Sequence, residues 1–429
     1  MLSKADNDLL TRVENGAPMG QLMRRYWIPA CLSQELPEPD GDPIRLRILG
    51  EDLIAFRDSE GRVGVMDELC PHRRASLLYG RNEESGLRCL YHGWKLDVNG
   101  LVVDLPAEPE RDGAPRRPIQ HTAYTVRESH GLVWVYMGSD TPAPCFEPPA
   151  FANGTNPRIS IVKINLPCNW AQALEGGIDS AHASILHSSE ILPQGGTARA
   201  GLAETHLLTR PSVDKAPRLE VHRTDYGMRY VALRKPIVDP EKNDYARIAT
   251  FIAPFTVLTP PNATYSAIQF IVPRDDEHCT FYFIAWTDDQ TAGDGVDEAT
   301  WRERMGGRVG IDLDDDYWPL RTPANRFMQD RKAMKQGSFS GVRGIASQDS
   351  MMWVTMGPIS DRSKERLGAS DIAVAQFRRI MIEAVKAFQA GAKPIGTEQA
   401  RMPHARIRSF EGVIPKGTDW RALGILPPP

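Results

Sequence analysis

The sequence predicts an α+β protein in two parts: an all-β N-terminal region, then a curved antiparallel sheet with one long helix packed across it. Three observations predict it. Short strand-type runs separated by turn residues fill the stretch from PIRLRILG to GLVWVYMG. A segment dense in Pro, Gly and Asn, SDTPAPCFEPPAFANGTNPR, follows and reads as a linker. Beyond it, further strand runs precede one amphipathic segment, DIAVAQFRRIMIEAVKAFQAG. With 429 residues the chain is long enough for two domains, and the boundary is expected near residue 155, giving 1–155 and 156–429.

Taken in order, residues 1–40 read as a helical start followed by the extended segment RRYWIPACLSQELPEPDGD. PIRLRILG, DLIAFRD and RVGVMDEL are β-type runs, the last two separated by a Ser59-Glu60-Gly61 turn. KLDVNGLVVDLP carries Asn99-Gly100, a strong hairpin signal. After the linker, ISIVKINLP opens the second set of strands. PRLEVHRTDYGMRYVALRKP reads as a hairpin around Asp225-Tyr226-Gly227. ARIATFIAPFTVLTPP and TYSAIQFIVPRDDEHCTFYFIAW supply more strands, with a turn at Arg274–His278. In the long helix, Ile372, Ala375, Phe377, Ile380, Ala384 and Phe388 are expected to form the buried stripe.

Composition narrows the function classes. The formal charge is 51 − 55 = −4 and no long basic run occurs, which speaks against nucleic acid or an anionic membrane surface as partner. The longest apolar stretches, such as Ile248–Phe255, are strand-sized and too short to span a bilayer. The first residues, MLSKADNDLLTRVENG, lack the apolar core of a secretory signal. Six cysteines in a chain this long, with Cys31, Cys145, Cys168 and Cys279 scattered, do not suggest a disulfide framework, and a reducing cytoplasm fits best.

Two motifs carry chemistry. In CPHRRASLLYGRNEESGLRCLYHGW, Cys70 with His72 and Cys89 with His92 form two Cys–His pairs separated by sixteen residues. A zinc finger groups its cysteines and then its histidines; here each loop offers one of each. That mixed order suits a [2Fe–2S] cluster with two cysteines on one iron and two histidines on the other. The second motif lies in NWAQALEGGIDSAHASILH, where Asp179, His182 and His187 follow a D-x-x-H-x-x-x-x-H pattern. Two histidines and one carboxylate on one face of an iron leave positions open for O₂ and substrate. Residues five apart sit about 140° around a regular helix, so a distorted or π-type turn is expected, helped by the Gly176-Gly177 interruption. Asp349, Asp361 and Asp371 are candidates for the carboxylate, and spacing alone does not choose among them.

The C-x-H and C-x-x-H loops, the Gly-Trp after them and the downstream D-x-x-H-x-x-x-x-H together resemble the Rieske non-haem iron ring-hydroxylating oxygenases, over nearly the whole chain. RRYWIPACLSQELP, LRCLYHGWKLDVNG, DKAPRLEVHRTDYG and GPISDRSKERLGASD resemble the phthalate dioxygenase type of oxygenase (alpha) subunit. The resemblance implies an N-terminal Rieske domain, a helix-grip-like catalytic domain, a [2Fe–2S] cluster on Cys70, His72, Cys89 and His92, and a mononuclear Fe(II) on His182, His187 and Asp349. Asp349 is chosen because GIASQDSMMWVTMG aligns with the family's ligand segment. Arg74 departs from the family, many members of which carry Gly there.

It further implies that Asp179 bridges to the cluster of an adjacent subunit, in a homotrimer or a multiple of one. Electrons are expected from NADH through a reductase carrying flavin and a plant-type iron–sulfur centre. The expected reaction is cis-dihydroxylation of an aromatic dicarboxylate such as phthalate; the alternative is a monooxygenase or O-demethylase acting on a methoxylated or aryloxy acid. A dicarboxylate calls for cations, and Arg247, alternating with Tyr245 and Ala249, and Arg210 are the expected substrate arginines. Arg218, alternating with Glu220, is expected to face solvent.

Overall fold

The computed structural model describes residues 1–109, 117–147, 157–193, 208–262, 265–287, 295–398 and 406–425. It divides into two compact units, one of residues 13–147 and the other of residues 1–12 and 148–429. The expected division at 155 falls outside the described residues. The first helix, α1 (Lys4–Thr11), differs from the expected 1–155 grouping by belonging to the second unit. The carbonyl of Thr11 there accepts from Asn169 Nδ2 at 2.9 Å and Trp170 Nε1 at 3.3 Å.

The unit of residues 13–147 begins with a short helix, α2 (Pro18–Met23), and is otherwise β structure. Its six-stranded sheet comprises β1 (Trp27–Leu32), β2 (Ile44–Ile48), β3 (Glu51–Arg57), β4 (Val63–Asp67), β9 (Ala123–Ser129) and β10 (Leu132–Tyr136), in the order β1-β10-β9-β4-β3-β2. A second, four-stranded meander holds β5 (Arg81–Glu83), β6 (Gly86–Arg88), β7 (Lys95–Leu96) and β8 (Val102–Asp104). The Asn99-Gly100 turn joins β7 to β8, with Gly100 at φ +80° and the Asp97 carboxylate accepting from the amides of Asn99 and Leu101. Ile54, Phe56, Met66, Leu77, Leu87 and Leu96 form the core, and Cys70, Cys89 and Trp94 sit in the same cluster.

The second unit is built on an antiparallel sheet. β11 (Ile159–Leu166), β14 (Arg218–Thr224), β15 (Gly227–Arg234), β16 (Asn243–Ile252), β17 (Thr256–Asn262), β18 (Tyr265–Pro273) and β19 (Cys279–Trp286) run in the order β11-β19-β18-β17-β16-β15-β14. β20 (Phe410–Pro415) pairs with the first half of β16, while β17 pairs with its second half. A two-stranded parallel pair, β12 (Ile191–Pro193) with β13 (Leu208–Arg210), lies apart from it. The helices are α3 (Trp170–Ile178), α4 (Glu298–Met305), α5 (Arg331–Lys335), α6 (Ile345–Thr355) and α7 (Ile372–Gln389).

The long helix α7 packs on β14 and β15 as expected, and of the expected stripe Phe377 and Ile380 are buried while Ala375, Ala384 and Phe388 are only partly so. Ala373, Val374, Phe377, Ile380, Met381 and Val385 are buried, while Ile372 is 47% exposed. A stripe about 100° wide takes in two adjacent residues per turn, and the sheet selects which pair. Among the described residues no helix is long and apolar enough to cross a membrane.

Candidate metal centres and active site

The two Cys–His loops of the N-terminal unit are copies of one another. In the first, the Cys70 amide donates to the Ala75 carbonyl at 2.9 Å and the Arg74 amide donates back to Cys70 at 3.0 Å. In the second, Cys89 N–H reaches the Trp94 carbonyl at 2.8 Å and Gly93 N–H reaches Cys89 at 3.0 Å. Each loop closes through a left-handed residue, Arg74 at φ +58° and Gly93 at φ +75°. Glycine enters that region without strain; arginine costs about 1 kcal/mol. The glycine expected at position 74 from the resemblance would therefore have a backbone reason. Arg74 is tethered by contacts of 3.4 Å to Asp67 and 3.3 Å to the Leu69 carbonyl.

The loops bring like ligands side by side. Cys70 and Cys89 are both buried, and burial, then Cys89, pushes the Cys70 thiol up to about 11. The His72 and His92 rings stand 4.5 Å apart, and His72 stacks on Trp94 at 4.5 Å and 5°. His72 Nδ1 is buried without a hydrogen-bond partner. A buried imidazole nitrogen left bare is costly unless something accepts its lone pair. Two thiols beside two imidazoles, with that nitrogen open, fit a [2Fe–2S] cluster.

In the second unit the backbone departs from the helix expected through Asp179. α3 stops at Ile178, Asp179 is its extended C-cap (ψ 110°), and a 3₁₀ turn spans His182–Ser184. No π-turn forms. The break lets residues five apart face one point, and the His182 and His187 rings lie 5.1 Å apart at 76°. Gly176 and Gly177 do not interrupt the helix; they let it pack closely. A Cβ at Gly176 would lie 2.0 Å from the Trp353 indole nitrogen on α6, and one at Gly177 would lie 2.4 Å from Gln269 Oε1. Gln172 adds hydrogen bonds to the carbonyls of Trp353 at 2.9 Å and Gly357 at 2.8 Å.

This α3–α6 contact delivers Asp349 to the histidines. Ligand atoms of His182, His187 and Asp349 all lie within 4.8 Å of one another. Asp349 Oδ1 is 3.1 Å from His187 Nε2 and 3.4 Å from His182 Nε2, yet makes no hydrogen bond. The outer nitrogens are occupied: His187 Nδ1 meets Gln348 Oε1 at 2.7 Å, and His182 Nδ1 meets Asp179 Oδ2 at 3.3 Å. Each acceptor holds the proton on Nδ1 and turns a bare Nε2 inward, the arrangement a metal requires. Burial disfavours charge on His182, but Asp179 and Asp349 outweigh it and push the imidazole up to about 10. Burial likewise opposes ionisation of Asp349, and His187 and His182 hold it well below the usual carboxylate range. So strong a pull on a proton marks a place for a cation, and a divalent iron fits it. Asp361 is exposed and caps Ser363, and Asp371 accepts from the Gly368 amide; neither reaches the histidines.

The trio opens on a cavity of about 130 Å³, walled also by Asp179, Tyr230, Ala249, Gln269 and Phe283. Arg247 is on this wall beside Glu411, which lies directly opposite it on β20 and accepts from Arg247 Nη1 at 2.8 Å. Arg210 is buried and donates to Ser184 Oγ at 3.1 Å; its neighbours Leu208 and Thr209 line the wall, and Arg210 does not. Arg218 is exposed and pairs with Glu220, as expected. Sequence reasoning missed Gln348, Glu411 and the buried Arg234 beside Arg210. Gln348 adjoins Asp349 and was open to notice; nothing local points to the other two.

Comparison with known proteins agrees with both units. Residues 26–124 match the Rieske [2Fe-2S] domain, and residues 135–427 match the family described as LigXa C-terminal domain like. The class follows: an oxygenase subunit carrying a Rieske [2Fe–2S] cluster and a mononuclear non-haem iron. The chain belongs to the Rieske non-haem iron ring-hydroxylating oxygenases, in the phthalate dioxygenase type. It is 55% identical over 423 residues to the phthalate 4,5-dioxygenase oxygenase subunit of Pseudomonas putida, covering 98% of this chain and 94% of that one. It is 36% identical over 427 residues to the 3-chlorobenzoate-3,4-dioxygenase oxygenase subunit of Comamonas testosteroni, covering 97% and 96%. The fold is shared with the Pseudomonas putida CBB5 NdmA QL mutant solved with caffeine, at TM-score 0.57 and 17% identity over 90% of this chain and 96% of that one.

Proposed function

We propose that this chain is the oxygenase component of a ring dioxygenase that uses O₂ and reductase-supplied electrons from NADH to cis-dihydroxylate an aromatic dicarboxylate such as phthalate. The observation that carries the reading is the His182–His187–Asp349 face opening on a cavity that bears a half-buried arginine, Arg247. Cys70, His72, Cys89 and His92 would hold the cluster, and His182, His187 and Asp349 the iron; when bound, these groups supply one-electron delivery and O₂ activation.

The protein's own residues do the positioning. Asp179 and Gln348 fix the histidine tautomers. Arg247 on the wall, with Arg210 behind Leu208 and Thr209, holds the carboxylates, so that only two ring carbons lie within reach of the open face. Apolar wall residues such as Ala249 and Phe283 limit water around the ring. Asp179 spends one lone pair of each oxygen on Ala181 N–H and His182, and its side chain keeps 25% exposure. That leaves an edge for a cluster histidine of an adjacent copy, consistent with a trimer or a multiple of trimers in the cytoplasm. The electron donor is a reductase with flavin and a plant-type iron–sulfur centre.

The test is turnover of phthalate with NADH, such a reductase and ¹⁸O₂. Two labelled atoms in a dihydrodiol support the reading. One labelled atom would assign the chain to monooxygenation or O-demethylation, and no conversion of any aromatic dicarboxylate would overturn the substrate class. Asp179→Asn is expected to keep both metals while lowering turnover at least about 100-fold; unchanged product formation would remove Asp179 from its bridging role.

A further inference from the structure

Charge at the cavity and just behind its wall is unevenly balanced. Arg247 is neutralised by Glu411 at 2.8 Å. Arg210 and Arg234, which lie behind the wall rather than on it, have no carboxylate partner among the described residues. Both are almost fully buried, at 5% and 2% exposure, and both converge on one neutral atom, the Ser184 hydroxyl: Arg210 Nη1 at 3.1 Å and Arg234 Nη2 at 3.0 Å. Arg234 Nη2 also donates to the Ser180 carbonyl at 2.7 Å. Three further donors, Arg210 Nε, Arg234 Nε and Arg234 Nη1, are buried without a partner. The nearby Asp214 is spent on the backbone amides of Ala216 and Lys235.

Two buried guanidiniums sharing a hydroxyl, with no carboxylate between them among the described residues, repel each other and leave strong donors unmet. Burial, followed by Arg247 and Arg210, pushes Arg234 down to about 10, and burial with Arg247 lowers Arg210. An anion seated between them would meet the open donors and offset the repulsion. The residues beside the bracket, Ser180 and Thr209, are on the cavity wall.

We propose that Arg234, paired with Arg210 across Ser184, is a specificity residue that takes up one carboxylate of the substrate. Arg247, whose charge Glu411 already cancels, then serves the other carboxylate as a hydrogen-bond donor. This deepens the reading above and rests on it for the identity of the anion. The bracket also ties strand β15 to the turn that carries His182, so an anion seated there is fixed relative to the iron face.

The test measures binding to the oxidised holoenzyme of phthalate, benzoate and neutral dimethyl phthalate, with iron content recorded in parallel. Arg234→Gln is expected to raise the Kd for phthalate about 100-fold, the loss typical of truncating one partner of a buried charged pair. It should change the Kd for the diester by less than about threefold and leave iron unchanged. Arg234→Lys, which keeps the charge but not the fork, should recover part of that loss. A variant that weakens diacid and diester equally, or leaves the diacid untouched, overturns the assignment. If Arg234→Gln does not fold, the same ratio in Arg234→Lys decides. Wild-type enzyme that ignores phthalate yet loses benzoate affinity on Arg234→Gln would keep the bracket and sink only the dicarboxylate reading.

Discussion

The four side chains proposed for the cluster lie between Cys70 and His92, on two loops with the same hydrogen bonds; those proposed for the iron stretch from His182 to Asp349 and share no local pattern. The first site is made by turns, each closing on itself through a left-handed residue. The second is made by packing, because α6 must press against α3 before Asp349 meets the histidines. A site built from turns tolerates change elsewhere in the chain. A site built from helix contact depends on every residue that sets that contact.

The sharpest break in this contrast is Asp349→Ala. It should remove the mononuclear iron, lowering metal content from about three irons per chain to about two, with the cluster's paramagnetic signal intact and turnover reduced at least about 1,000-fold. Loss of both metals together would show that the sites are not independent. Next is Glu175, buried on α3 between Arg362 at 2.8 Å and Arg378 at 2.7 Å. Glu175→Gln should destabilise the protein by about 3 kcal/mol in denaturant unfolding, since it leaves two buried guanidiniums under-paired. Burial raises the Glu175 pKa, but Arg362 and Arg378 outweigh it and depress it. Its stabilisation is therefore complete above the unfolded-state value and is lost as pH falls through the carboxylate range. The variant should accordingly be less acid-sensitive than wild type; a parallel pH profile would exclude the ion cluster from this role.

Smaller effects test the details. Gln348→Leu removes the acceptor that orients His187 and should weaken iron binding about 10- to 100-fold in chelator competition, leaving the cluster loops untouched. Smallest is Arg74→Gly, which gives the Cys70 loop the backbone freedom of the Cys89 loop. It should stabilise the protein by about 1 kcal/mol, minus the tether to Asp67, as read by thermal unfolding of the cluster-loaded protein. Destabilisation would mean the tether outweighs the strain.

Legibility in the sequence followed range along the chain. The strand runs from PIRLRILG onward, the Asn99-Gly100 and Asp225–Gly227 hairpins and the long C-terminal helix were all readable, since alternation and turn chemistry act over a few residues. The cluster loops were readable for the same reason. The membership of α1 in the second unit, most of the face that α7 buries, and which distorted form the turn after α3 takes were not, because each is decided by what packs against it.

By itself, then, the sequence determined the local chemistry: two Cys–His turns, a histidine pair with an acid before it, and strands long enough for a sheet. Tertiary structure decided which aspartate joins the histidines, which strand sets Glu411 against Arg247, and that Arg234 meets Arg210 at Ser184. The physical reason is that hydrogen-bonded turns and alternation depend on neighbours in sequence. Ligand convergence and charge balance depend instead on the close approach of helices and on cross-strand register, which residues far apart in the chain set together.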